Sequence, residues 1–134
     1  MKNYRLKSLK EVGSPNDIFP LVMKYAEKTG ENPWMCWLDV IRYSTVVVYE
    51  GDIAVSYVTS YKNDDGSLFI KTAVSDHPWM SVEVFEDICR RLQEEQGTAP
   101  EVYMESSLPE RLWKRYGFIP HRVLYKKTLN HGGD

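Results

Sequence analysis

At Thr45 the spacing of apolar residues changes from every third or fourth position to a strand-like run, and that change limits the fold more than any other feature. Before it, Ile18, Leu21, Val22, Tyr25 and Ala26 recur at helical spacing until Gly30 stops the run. Pro20 fits only near a first turn, so Asn16 or Asp17 is the expected cap. Asn32-Pro33 opens a second helix, with Trp34, Trp37, Leu38 and Ile41 as its expected core-facing side. After the change, Thr45-Val46-Val47-Val48-Tyr49 and Ile53 to Ser60 are β-branched and aromatic, with Glu50-Gly51-Asp52 between them. That is a hairpin. Asn63-Asp64-Asp65-Gly66 turns the chain again into a third strand, Ser67 to Val74.

The remaining elements follow from the same signals. Tyr4 to Leu9 alternates as a first strand. Ser81 caps a long helix whose buried side is Val82, Phe85, Ile88, Cys89 and Leu92, and Gly97 ends it. Val102 to Glu105 is a strand, Pro109 to Tyr116 a short helix and Val123 to Leu129 a final strand. The order β-α-α-β-β-β-α-β-α-β predicts an α/β (α+β) fold. Its sheet is mixed and mostly antiparallel, of about six strands, with helices on both faces. Residues 1–129 form a single domain and 130–134 a frayed tail.

At 134 residues, with 43% hydrophobic and 27% charged side chains, the chain is long enough for one core and too apolar for disorder. Its longest apolar run is strand-sized, so no membrane span is expected. No apolar stretch follows the first charges, which predicts an intracellular, cytoplasmic protein. Cys36 and Cys89 lie in apolar surroundings without metal or redox spacing and are read as reduced core residues. The three histidines share no ligand spacing, so no metal site is expected. The net charge of −2 hides an acidic middle between basic ends. Those bases read as solvated faces of terminal elements; no nucleic-acid-binding signature accompanies them, and nucleic acid is not an expected partner.

Arg111-Leu112-Trp113-Lys114-Arg115-Tyr116-Gly117-Phe118, set in this order of elements, resembles the GNAT superfamily of acyl-CoA-dependent N-acetyltransferases. There a short helix ends in a Leu-Tyr-x-x-x-Gly-Phe pattern; Leu112 and Gly117-Phe118 match it. The resemblance spans the whole chain as architecture and about ten residues as motif. It implies a strand that splays from its neighbour before the long helix, and a coenzyme A diphosphate on the backbone N–H groups at that helix's start. It further implies acetyl-CoA as cofactor, with Val74 and Ser75 along the pantetheine arm and Met80, Ser81 and Val82 facing the diphosphate. Glu105 would be the base and Ser106 an assisting hydrogen-bond donor.

The sequence departs from that family at informative places. The family's diphosphate loop is Arg/Gln-x-x-Gly-x-Gly/Ala, whereas residues 75–84 contain no glycine, arginine or glutamine. Asp76 and Glu83 lie there instead, with Glu86 and Asp87 behind them. Like charges ~4–6 Å apart repel by roughly 3–4 kcal/mol at an effective dielectric of ~20, less with screening. Trp113 occupies the position of the family's acidic tyrosine, and an indole N–H is not a usable acid. Tyr116 sits about three helical positions round and is expected to face elsewhere. Ser106 replaces an asparagine. His77 is a weaker alternative base in the loop, and His121 reads as surface.

Two functions remain. One is an N-acetyltransferase acting on acyl-CoA and an amine, with a degenerate cofactor loop. The other is a catalytically inactive protein of the same fold that binds a protein partner. The shortened terminal hairpin leaves a sheet edge through which a homodimer could pair.

Overall fold

The computed structural model describes residues 3–12, 14–76, 80–105, 113–120 and 127. β1 (Arg5–Ser8) leads through two 3-10 turns into α1 (Phe19–Thr29) and α2 (Pro33–Arg42). β2 (Ser44–Glu50), β3 (Ile53–Lys62) and β4 (Leu68–Ser75) form the meander; α3 (Val82–Gln96) and β5 (Val102–Met104) follow. The five strands lie in sequence order, antiparallel except for the parallel pair β4–β5 that α3 connects. The mixed, mostly antiparallel sheet with helices on both faces is therefore present. The sixth strand expected over 123–129 and the tail at 130–134 lie outside the described residues. So does most of the short helix over 109–116, of which residues 113–114 are helical.

Two cores flank the sheet. α3 presents Val84, Phe85, Ile88, Cys89 and Leu92 to Val46, Val48, Val58, Leu68 and Ile70. On the other face Leu21, Val22 and Ala26 of α1 and Cys36 and Val40 of α2 cover Val47, Tyr49, Tyr57 and Val74. Covering both faces explains why β2 is an unbroken valine run rather than an alternating one. The helices are tied down by polar bonds as well. Thr45 Oγ1 donates to the Val40 carbonyl at 2.8 Å, and Gln96 Nε2 to Ser60 Oγ at 2.9 Å. Arg91 donates to the Leu6 carbonyl at 2.8 Å and pairs with Glu11, while Tyr4 donates to Asp87; both straps hold β1 against α3. That bond to Asp87 is the main reason the Tyr4 phenol is pushed up to about 12.

Helix ends follow the sequence in part. Asn32 Oδ1 accepts from the Trp34 N–H at 2.9 Å, and Ser81 Oγ from the Val84 N–H at 3.2 Å. α1 differs: Asn16 and Asp17 belong to a 3-10 turn, and the N-cap is Ile18, without a side-chain bond. Pro20 in the first turn has no N–H to satisfy, so little is lost by the missing cap. α2 is the larger correction. It buries Cys36 and Val40, keeps Trp37 half-buried, and leaves Trp34, Leu38 and Ile41 exposed, not core-facing. The helix is apolar on nearly every side, so periodicity alone could not choose which side meets the sheet.

Ile88 is fully buried between α3 and the sheet. Ile88→Ala should cost about 2–5 kcal/mol in urea unfolding, the range for a buried large-to-small change. Burial is the main cause raising the phenol pKa values of Tyr25, Tyr49 and Tyr57 above 10.0. A phenol that ionises less readily when folded lends stability that is complete below its unfolded pKa. It is lost as pH rises through the folded value. The urea midpoint should therefore fall between about pH 8 and about pH 11.

Candidate functional site

β4 stays paired with β3 along its whole length but soon parts from β5. The parallel ladder holds only Leu68↔Val102, Phe69↔Tyr103 and Ile70↔Met104. Directly after it, the β3 register moves from Thr59↔Thr72 to Ser60↔Ile70, so Lys71 is an extra residue, a β-bulge. A bulge bends its strand and sharpens the local twist. Among the described residues, no strand pairs with the outer edge of β4 from Lys71 to Val74, a stretch of four residues on the way to α3.

That edge is fixed from behind. Val74 is buried in the core under α1 and α2, and Ser56 Oγ, itself buried, donates to Ser75 Oγ at 2.9 Å. The Asp76 N–H donates to the Val55 carbonyl at 2.8 Å, and its carboxylate pairs with Lys24 from α1. Across the masked stretch 77–79, Met80 is buried in the α3 core. Its carbonyl accepts from the Tyr116 hydroxyl. Ser81 caps the helix, and Val82 is half-buried. Ser81 takes the Val84 N–H and its carbonyl takes the Phe85 N–H at 3.0 Å. Among the described residues nothing accepts from the N–H groups of Val82 and Glu83, the first two of the helix.

Glu105 is exposed and follows the last residue of β5, where the two strands diverge. Ser106 and His77 lie outside the described residues. Tyr116 does not face away as expected: its ring packs 5.3 Å from Phe85 and its hydroxyl reaches the segment before α3. Burial raises its pKa, which keeps the proton on the donor side of that bond. Gly117, at φ +86°, lets the chain reverse there, with Phe118 N–H bonded to the Trp113 carbonyl and Gly117 N–H to that of Lys114. On the opposite face of the sheet, Tyr43, Tyr61 and Phe69 stack in a row at 5.5 and 5.0 Å.

The charge at the helix start is milder than four acids imply. Asp76 is neutralised by Lys24, and Glu86 and Asp87 both pair with Arg90. Glu83 alone makes no ion pair among the described residues. Lys24, 52 positions from Asp76, and Ser56 carried no motif; only the folded sheet brings them to this end. An open depression of about 320 Å³ lies beside the Lys24–Asp76 pair, walled also by Asp17, Leu21 and Asp52. Among the described residues no group of acids, histidines or cysteines is arranged to hold a metal ion, and no helix is long and apolar enough to cross a membrane.

No protein-family profile and no curated protein matches the sequence. Solved structures do match the fold. A GNAT-family acetyltransferase from Streptococcus pneumoniae TIGR4 superposes with a TM-score of 0.61 at 12% identity, covering 94% of this chain and 100% of that one. A ribosomal-protein-alanine N-acetyltransferase from Brucella melitensis biovar Abortus 2308 gives 0.60 at 13% identity, over 98% and 100%. A GCN5-related N-acetyltransferase from Ralstonia eutropha JMP134 gives 0.60 at 15% identity, over 94% and 99%. The chain has the GNAT fold.

Tyr116→Phe removes the bond to the Met80 carbonyl and keeps the ring. Urea unfolding should show a loss of about 0.5–1.5 kcal/mol, the net value of one such bond; no change would mean that water replaces the hydroxyl.

Proposed function

We propose that the chain is an acyl-CoA-dependent N-acyltransferase that moves an acetyl group to an amine. The observation that carries this reading is the edge of β4 from Lys71 to Val74, which no strand pairs with among the described residues, in the strand that leads to the Ser81-capped start of α3. An unpaired strand edge binds an amide-bearing chain as a further strand would, through backbone N–H and C=O groups. The N–H groups of Val82 and Glu83, at the positive end of a 15-residue helix, suit a diphosphate. The Lys24–Asp76 pair supports the same reading by removing a carboxylate charge from the approach.

Acetyl-CoA supplies an acyl group already activated as a thioester. The protein's part is to align that group with the amine and to manage protons. Glu105, exposed at the end of β5, accepts the proton that the attacking nitrogen sheds. Ser106 donates a hydrogen bond to the departing sulfur. Trp113 contributes no proton, so the leaving group takes one from solvent. Cys36 and Cys89 are buried free thiols, which suits a reducing compartment.

A second reading is favoured by one feature: Glu83 at the helix start, in a segment without glycine. It is a GNAT-fold protein that no longer binds acyl-CoA and holds a protein partner instead.

Calorimetric titration with acetyl-CoA separates the two. The enzyme reading expects micromolar binding. It also expects Glu83→Gln to tighten that binding about three- to tenfold, because one carboxylate leaves the diphosphate's surroundings. Absence of both heat and thermal shift at millimolar ligand overturns it in favour of the binding protein. If binding occurs, Glu105→Gln should lower kcat by about 10²–10⁴-fold at pH values where the carboxylate is ionised, while leaving affinity for acetyl-CoA unchanged.

A further inference from the structure

Of the ten residues in α2, only Asp39 and Arg42 are charged; the rest are apolar. Cys36 and Val40 face the sheet. On the other side Trp34 is 66% exposed, Met35 59%, Leu38 45% and Ile41 54%. A helix that is apolar on all sides is normally covered on all sides. These four side chains expose on the order of 500 Å² together, near the upper end of what a monomer shows as one patch.

Trp34, Leu38 and Arg42 stand four apart and form a single ridge along this exposed side. Arg42 makes no hydrogen bond or ion pair among the described residues, and the Trp34 ring is mostly open. A cation at one end of the ridge and an aromatic face at the other are complementary to each other, but a straight helix holds them apart by about 12 Å. Two copies running antiparallel bring each cation over the other copy's indole.

We propose that the exposed side of α2 is a homodimer interface, with a two-fold axis passing at Leu38. Leu38 meets the partner's Leu38, and Arg42 lies over the indole of the partner's Trp34. The same contact recurs on the other side of the axis, as an isologous interface requires. Met35 and Ile41 flank the ridge and exclude water from it. Antiparallel helix dipoles also oppose favourably. The patch is smaller than the ~800 Å² per partner of a standard interface, so the dimer is a micromolar one. The edge strand β1 is a poorer place for pairing: it is four residues long and carries Arg5 and Lys7, charges that blunt a sheet edge.

Sedimentation equilibrium of the full chain, from about 1 μM to about 1 mM, tests this. The expected result is a monomer–dimer equilibrium with a micromolar midpoint. Leu38→Glu, which sets two carboxylates on the axis, should abolish the dimer. Arg42→Glu should weaken it at least tenfold. Both residues are exposed, and circular dichroism and urea midpoints like those of the parent would confirm that the variants fold. A chain that stays monomeric throughout overturns the proposal, and so does a dimer that both variants leave intact. Acetyl-CoA affinity is read separately and does not enter either outcome.

Discussion

β4 is hydrogen-bonded to β3 from end to end and to β5 for only three residues, and the open site depends on that asymmetry. The bulge at Lys71 falls immediately after the last β4–β5 pair, where extra twist turns the two strands apart. Open strand edges ordinarily invite pairing or collapse. This one is kept in place from behind, by Val74 in the core, by the buried Ser56–Ser75 bond, and by Asp76 held to both Val55 and Lys24. The segment entering α3 is anchored in turn by Met80, buried by its side chain and held by Tyr116 at its carbonyl. Edge and helix start are each anchored to the core, which would lower the ordering cost for a ligand bound there.

The two-sided core makes this arrangement affordable. β2 and β3 are covered above by α3 and below by α1 and α2, so the centre of the sheet tolerates an unpaired edge at its side. Strapping β1 to α3 through Tyr4–Asp87 and Arg91–Glu11 closes the far side of the same layer. Rigidity in the middle and openness at one flank are two results of one packing pattern.

Much of this was readable from residues close in sequence. The β-branched run around Val46-Val47-Val48 announced a strand, and Asn32 and Ser81 announced two helix starts through bonds made within three residues. What could not be read depends on distance. Nothing local ties Lys24 to Asp76, or Tyr116 to Met80, so the loop looked more acidic and its tyrosine more idle than they are. The bulge at Lys71 changes pairing without changing composition. α2 misled for a different reason: a nearly all-apolar helix satisfies the helical period whichever side turns inward, and only the neighbouring Val47, Tyr57 and Thr45 decide it. The residues of the candidate site were legible as positions on a strand end and a helix cap. Their electrostatic setting was not.

That setting bears on how much a glycine-free loop costs. Glycine is needed where φ is positive or where backbone must approach a ligand more closely than a Cβ allows. Among the described residues no other residue type adopts a positive φ, and Ser81 enters the helix in an extended conformation, φ −67° and ψ 155°. Entry into α3 at Ser81 therefore needs no glycine for conformation. Among the described residues, the acid at this end without an ion pair is Glu83, an exposed side chain. In water-like surroundings a unit charge at ~4 Å contributes about 1 kcal/mol, less at physiological salt. Such a term removes less than one decade of affinity, about fivefold at most. About half of the backbone groups from Lys71 to Val74 point away from β3, and each hydrogen bond that a ligand made there would be worth about 0.5–1.5 kcal/mol net, a contribution of the same order as that charge.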